Sequence, residues 1–503
     1  VTQGRPRSFA LIANLETAEM TLLNMGFKGL LSIALALFAL LASPAQAAGA
    51  KFPAYNAKAG MLKIGKDPER PDAEIFHVAY TLKDAELSRR PVTFVLNGGP
   101  GGASIYLHLS AIGPKVIVTP GDGSFPAVPA RLEENPDSWL RFTDLVFIDP
   151  VGTGYSRMLP GPDGKPADPR PYYAVESDVH SIAVFIQQWL TVNKRWGSPK
   201  GIAGESYAGR RIAALVPVLA RQYGINLNRA VLISPAMSVP SLIEPFPAYD
   251  LLHAMTLLPT QAATAAHHGL STITNDAAGH KQAEDFALSG YLTGLASLGR
   301  MSPQEQAAFY ARVGGLIGLD PALVALHRGR VGEAVFATSL LAARGKVLDL
   351  YDGTQPSDNP KPEVRDGFGA MPRTLEVFSG VLLPPFMDYV RQDLGYVTDR
   401  PYIVLNLEVA ALWDRKSPMG SPEDLAVALA QNTDVRVLVV HGYQDQAANY
   451  FLSRYLLEQL VVMPSARERL SFRNYLGGHM FYLRAQSRAQ LYKDVSRFYE
   501  AAP

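Results

Sequence analysis

Four short, almost unbroken apolar runs, Val92 to Leu96, Leu145 to Ile148, Ala230 to Ser234 and Val435 to Val440, set the first limit on the fold. Each stops at a glycine, a proline or a polar turn. A run that is apolar at nearly every position has no side left for water, so it reads as a strand buried on both faces of a mostly parallel sheet. Parallel neighbours need crossovers, and helical patterns lie between the runs. Ser177 to Leu190 places Val179, Ile182, Phe185, Ile186 and Trp189 at spacings of three and four, with Ser177 or Asp178 as the expected cap. Met61 to Ile64 and Glu74 to Thr81 read as earlier strands. Strand alternating with helix gives an α/β class with a central, mostly parallel sheet.

From about Pro240 to Leu405 the alternation stops and helix starts dominate. Ser302-Pro303-Gln304-Glu305 has the form of a capping box with proline at the first helical position, and Asp320-Pro321 opens a helix in the same way. The expected division is an upstream segment with signal peptide at 1–47, a sheet-bearing core at 48–240 and 405–503, and a helical cap inserted at 241–404. Met25 to Lys28 supplies a positive start, Gly29 to Ala42 a short apolar run, and Ala45-Gln46-Ala47 a small-residue exit, the layout of a secretory leader too short to span a membrane. The chain is therefore expected to be exported, to a periplasm or the exterior, with no membrane span in the mature protein. There is no cysteine, so no disulfide supports the fold, and a core built from 503 residues needs none. A formal net charge of +1 gives no electrostatic reason to expect nucleic acid as a partner.

The chemistry centres on Gly204-Glu-Ser-Tyr-Ala-Gly209. It follows the nucleophile-elbow pattern G-x-S-x-G except that Ala208 holds the last place, and alone it reads more readily as a tight turn. A serine hydroxyl needs an imidazole to take its proton and a carboxylate to orient that imidazole. Asp445, just past the last apolar run, and His479, after Gly477-Gly478, stand in the order Ser, Asp, His with room for an insertion between them. Asn97-Gly-Gly-Pro-Gly-Gly102 follows the strand Val92 to Leu96 and suits an oxyanion loop. The rival, a phosphate-binding loop, lacks the Lys-Ser/Thr ending.

These pieces, with Asp149-Pro-Val-Gly-Thr-Gly-Tyr-Ser156, Gly442 to Asn449 and Gly478-His-Met480, resemble the serine carboxypeptidase family in content and order. The resemblance implies an α/β-hydrolase fold and no cofactor or metal. It implies Ser206 as nucleophile, His479 as general acid/base, Asp445 as its orienter, and the N–H groups of Gly99 and Tyr207 as oxyanion donors. Asn97 and Glu205 are implied to hydrogen-bond the terminal carboxylate of a peptide. Two departures stand out. The family's plant and fungal members carry a second glutamate that shares a proton with the one beside the nucleophile, and that place falls near Ala111 here. The expectation is a weakened preference for acidic pH, or a shift toward other acyl compounds. Gly102 and Ala448 stand where the family often has cysteines, which fits a disulfide-free bacterial branch.

His267, His268 and His280 are expected to be exposed, having no metal-ligand spacing, while His108 and His180 read as packed side chains. Tyr351-Asp352-Gly353 reads as a turn, and Arg210-Arg211 as solvated charges at a helix start. The leading expectation is a hydrolase that removes residues from peptide C-termini through an acyl-enzyme on Ser206. The alternatives are an esterase or acyltransferase with the same triad and, from another class, an inactive binding protein.

Overall fold

The computed structural model describes residues 52–65, 69–161, 164–165, 167–237, 250–359 and 373–501. The expected leader and the expected start of the insertion at 241 lie outside them. From Tyr55 onward the chain builds a nine-stranded sheet. Its main strands are β1 (Tyr55–Ile64), β2 (Ala73–Leu82), β3 (Val92–Leu96), β4 (Asp144–Ile148), β5 (Lys200–Glu205), β6 (Arg229–Ile233), β7 (Arg436–Gly442) and β8 (Leu470–Tyr475). They lie in the order β1-β2-β4-β3-β5-β6-β7-β8, with the short strand Arg157–Met158 also paired to β2.

β2 is antiparallel to both β1 and β4, and every pairing from β4 to β8 is parallel. All five residues of β3, of β4 and of β6 are buried, as runs covered on both faces require. β1 begins six residues before the expected strand, because Tyr55–Gly60 is an edge segment whose exposed Lys58 and small residues carry no apolar signal.

After β3 the chain moves to one side of it for β4 and then crosses to the other side for β5. In an open α/β sheet such a reversal leaves a crevice beyond the carboxyl ends of the two strands. Asn97 and Ser206 follow β3 and β5 at that crevice.

α1 (Val175–Val192) buries Val179, Ile182, Phe185, Ile186 and Trp189, the face read from the sequence. Its N-cap is Ala174, three residues before Ser177, so Ser177 and Asp178 lie inside its first turns. α2 (Ala208–Tyr223) packs Ile212, Leu215, Val216 and Leu219 into the same core and ends at Gly224 in the left-handed region, φ 64°.

Among the described residues the chain between β6 and β7 is mainly helical, with α3 (Leu251–His267), α4 (Ala277–Phe286), α5 (Pro303–Ile317) and α6 (Arg373–Gln392) among its longer members. The capping box of Ser302 and Glu305 forms, and Asp320 caps the helix beginning at Pro321. Met255, Leu258, Phe286, Phe309, Val313 and Phe336 close an apolar cluster of this segment, joined by Tyr450 and Phe451 of α7 (Tyr450–Leu460). A small hairpin, Lys346–Leu348 with Pro356–Asp358, interrupts the helices. Among the described residues no helix is long and apolar enough to cross a membrane.

Candidate active site

Ser206 sits between β5 and α2 with φ at 59°, a left-handed backbone that a residue bearing a Cβ adopts only under constraint. The constraint is visible on both sides: Ser206 N–H donates to Ile233 O, and Ser206 O accepts from Ala236 N–H, each at 3.0 Å. A Cβ on Gly204 would lie 2.6 Å from the Ala208 Cβ, so with glycine at 204 an alanine at 208 fits the bend. The departure from G-x-S-x-G therefore leaves the elbow intact.

Asp445 and His479 come together. His479 Nδ1 lies 2.7 Å from Asp445 Oδ2, and both side chains are buried. Asp445 Oδ1 accepts the N–H groups of Ala447 and Ala448 at 3.0 and 2.9 Å, which fixes the carboxylate plane. Burial alone would lower the pKa of His479, but the charge of Asp445 and its hydrogen bond reverse the sign, with Glu205 adding to the rise. Ser234 Oγ donates to His479 O at 2.8 Å, anchoring the histidine to the residue next to the one that holds Ser206. His479 Nε2 is buried without a hydrogen-bond partner, so no bond to Ser206 is formed in this structure. Catalytic hydrogen bonds of this kind are often long in unliganded sites and tighten with substrate.

The glycine loop lies directly against the elbow. A Cβ on Gly98 would stand 2.6 Å from Tyr207 N and 2.8 Å from Ser206 Cβ, so only glycine permits this approach. The loop is held from its other side by Asn406 N–H donating to Gly101 O and Ala103 N–H donating to Val404 O, at 2.8 and 2.9 Å. Gly98→Ala is expected to push the loop off the elbow and lower kcat about a hundredfold or more, with the melting temperature checked alongside the rate.

Glu205 is buried, and burial pushes its carboxyl up to about 7 against the pull of His479, Tyr482 and Asn97. Asn97 Nδ2 donates to its Oε2 and the Tyr482 hydroxyl to its Oε1, at 2.5 and 2.6 Å. The family resemblance implied that both side chains bind a terminal carboxylate; here they hydrogen-bond each other. Tyr482 was not picked out in the sequence, although it lies three residues after His479. Ala111 is buried and offers only a methyl group.

Several sequence expectations need correction. Arg211 is not a solvated charge. It is buried, with Nε 2.6 Å from Asp178 Oδ2 and Nη1 donating to Asn97 O at 2.7 Å, and it lies over the Tyr207 ring. Arg210 is half-buried and donates to the carbonyls of Ser417 and Met419. His280 is buried, its ring 4.0 Å from that of Tyr443, and His267 and His268 are half-buried rather than exposed, with His268 Nε2 at 2.8 Å from Gly353 O. These contacts put His268 and His280 to structural use. His108 is packed as expected, stacked on Phe147 and bonded to the Tyr80 hydroxyl, while His180 is half-buried. Tyr351-Asp352-Gly353 is a turn, but one that touches the site: Tyr351 O accepts the His479 N–H, and its ring meets the imidazole edge-on at 4.6 Å.

Residues 49–280 match the family model described as serine carboxypeptidase. Over that stretch the chain is similar to the serine carboxypeptidase family. Among curated relatives, the chain is 29% identical over 191 residues to serine carboxypeptidase-like 10 of Arabidopsis thaliana, covering 36% of this chain and 40% of that protein. It is 30% identical over 154 residues to a pheromone-processing carboxypeptidase of Puccinia graminis, covering 30% and 21%. The chain thus spans less than half the length of these relatives. A prohormone-processing carboxypeptidase from Saccharomyces cerevisiae has the same fold, with a TM-score of 0.54 at 17% identity over 89% of this chain and 91% of the other. The family match ends well before Asp445 and His479, so their meeting is an observation of geometry that the match does not contain.

Proposed function

We propose that the chain is an exported serine-type carboxypeptidase of a cysteine-free bacterial branch, with the helical segment at 241–404 acting as a cap over the site. The observation that carries the reading is the buried Asn97–Glu205 pair directly beside the nucleophile elbow. A carboxyl held near neutrality at about 7 is protonated below that value and so meets a substrate's terminal carboxylate without a charge to repel it. In the proposed reaction Ser206 Oγ attacks the last peptide carbonyl and His479 Nε2 takes its proton. Asp445 stabilises the imidazolium that forms, and the N–H groups of Gly99 and Tyr207 receive the oxyanion. The amine leaves with the proton from His479, and water then cleaves the acyl-enzyme with the roles reversed.

The sign of the pH dependence follows. His479 must be neutral to act as base, so kcat/KM rises as pH passes its elevated pKa. Glu205 must be protonated to receive a carboxylate, so the value falls again above about 7. The test compares a blocked dipeptide bearing a free C-terminus with its C-terminal amide. The free acid is expected to be cleaved about a hundredfold faster, and only its profile should show the alkaline fall. Equal rates would replace the carboxypeptidase with an esterase or acyltransferase, a reading that the absence of a carboxyl at Ala111 favours. Failure of a fluorophosphonate probe to label Ser206 would leave a binding protein.

A further inference from the structure

The amide of Asn97 cannot turn over. Its Oδ1 accepts the Leu107 N–H at 3.0 Å, so Nδ2 must face Glu205. Oε2 of Glu205 is therefore an acceptor in either protonation state, and a proton on this carboxyl belongs on Oε1. Among the described residues, the one partner of Oε1 is the Tyr482 hydroxyl. The other groups facing the carboxyl are His479 and Asp445, on the loops after β8 and β7, Tyr106 from the turn after the glycine loop, and Tyr351 from the turn against His479. Among the described residues no second carboxyl group hydrogen-bonds Glu205. Tyr482 stands on the turn Phe481–Leu483, which packs against the helical turn His108–Ile112 that carries Ala111.

We propose that Tyr482 is a positioning residue for carboxylate recognition, its phenol forming with Glu205 an acid–phenol pair in the place where the family implies two carboxyls. When Glu205 is ionised, the phenol donates to Oε1. When Glu205 is protonated, Oε1–H donates to the phenol oxygen. One short bond persists in both states, so the carboxyl keeps its orientation as it gains the proton that lets it meet an anion. The inference rests on the carboxypeptidase reading and goes beyond it by naming what holds Glu205 in place.

The test is Tyr482→Phe, which keeps the ring and removes the hydroxyl. kcat/KM is measured against pH for a peptide with a free C-terminus and for the matching ester without one. The ionised carboxyl loses a donor, so it becomes harder to ionise, and the alkaline limb for the free acid should move up by about one pH unit. KM for the free acid should rise about tenfold at pH 6 with a smaller change in kcat, and the ester should show no limb to shift. In a Glu205→Gln background, Tyr482→Phe should add nothing further to KM, a second readout that does not depend on the single variant. An unmoved limb, or additive effects in the double variant, would overturn the role of Tyr482. Were the wild type itself indifferent to the free carboxylate, the carboxypeptidase reading would fall and take this inference with it, and the two failures are told apart by the wild-type profile alone.

Discussion

Asp445→Asn is expected to lower kcat by about four orders of magnitude while leaving the protein folded. The reason lies in the two N–H groups of Ala447 and Ala448, which both point at Oδ1. An asparagine amide in this place keeps its oxygen against those donors and turns its NH2 toward His479 Nδ1. The imidazole must then accept at Nδ1 and carry its hydrogen on Nε2, the atom that has to be bare to take a proton from Ser206. Steady-state hydrolysis of an ester substrate and the rate of fluorophosphonate labelling should fall together, because both need the activated hydroxyl. Circular dichroism and thermal melting should change little, since Asn fills the same volume. Labelling at the parental rate would show that His479 is not held by Asp445 in the working enzyme.

Much of this arrangement was legible in the chain, and the parts that were not share a physical cause. β3 was readable to the residue, because its neighbours cover both faces and force every position to be apolar. The elbow and the glycine loop were readable because backbone geometry there excludes most side chains. Arg211 was misread because a charged pair at the head of a helix looks the same in sequence whether it meets water or a buried carboxylate, and Asp178 sits 33 residues away on another helix. Tyr482 and Tyr351 carry no motif. Their roles exist only once the turns after β8 and before the hairpin strand Pro356–Asp358 close around His479 and Glu205. Local rules reach local geometry, and a partner chosen by tertiary packing leaves no spacing to count.

Arg211→Met should cost about 3–5 kcal/mol of stability, read from denaturant unfolding, because it strands the buried carboxylate of Asp178. Burial already raises the pKa of Asp178 against the pull of Arg211, so removing the guanidinium leaves burial in charge. Pairing the change with Asp178→Leu should restore most of the loss, since two apolar groups of fitting size satisfy the same space without an ion to desolvate. The restored stability separates two roles. Arg211 ties Asp178 of α1 to the carbonyl of Asn97 while lying over the Tyr207 ring, so three elements meet at one side chain. If the double variant folds as well as the parent yet shows KM for a free C-terminal peptide raised about tenfold, the ion pair serves to place Asn97. If KM stays at the parental value, the glycine loop and Leu107 suffice to place that amide, and Arg211 is a structural strut.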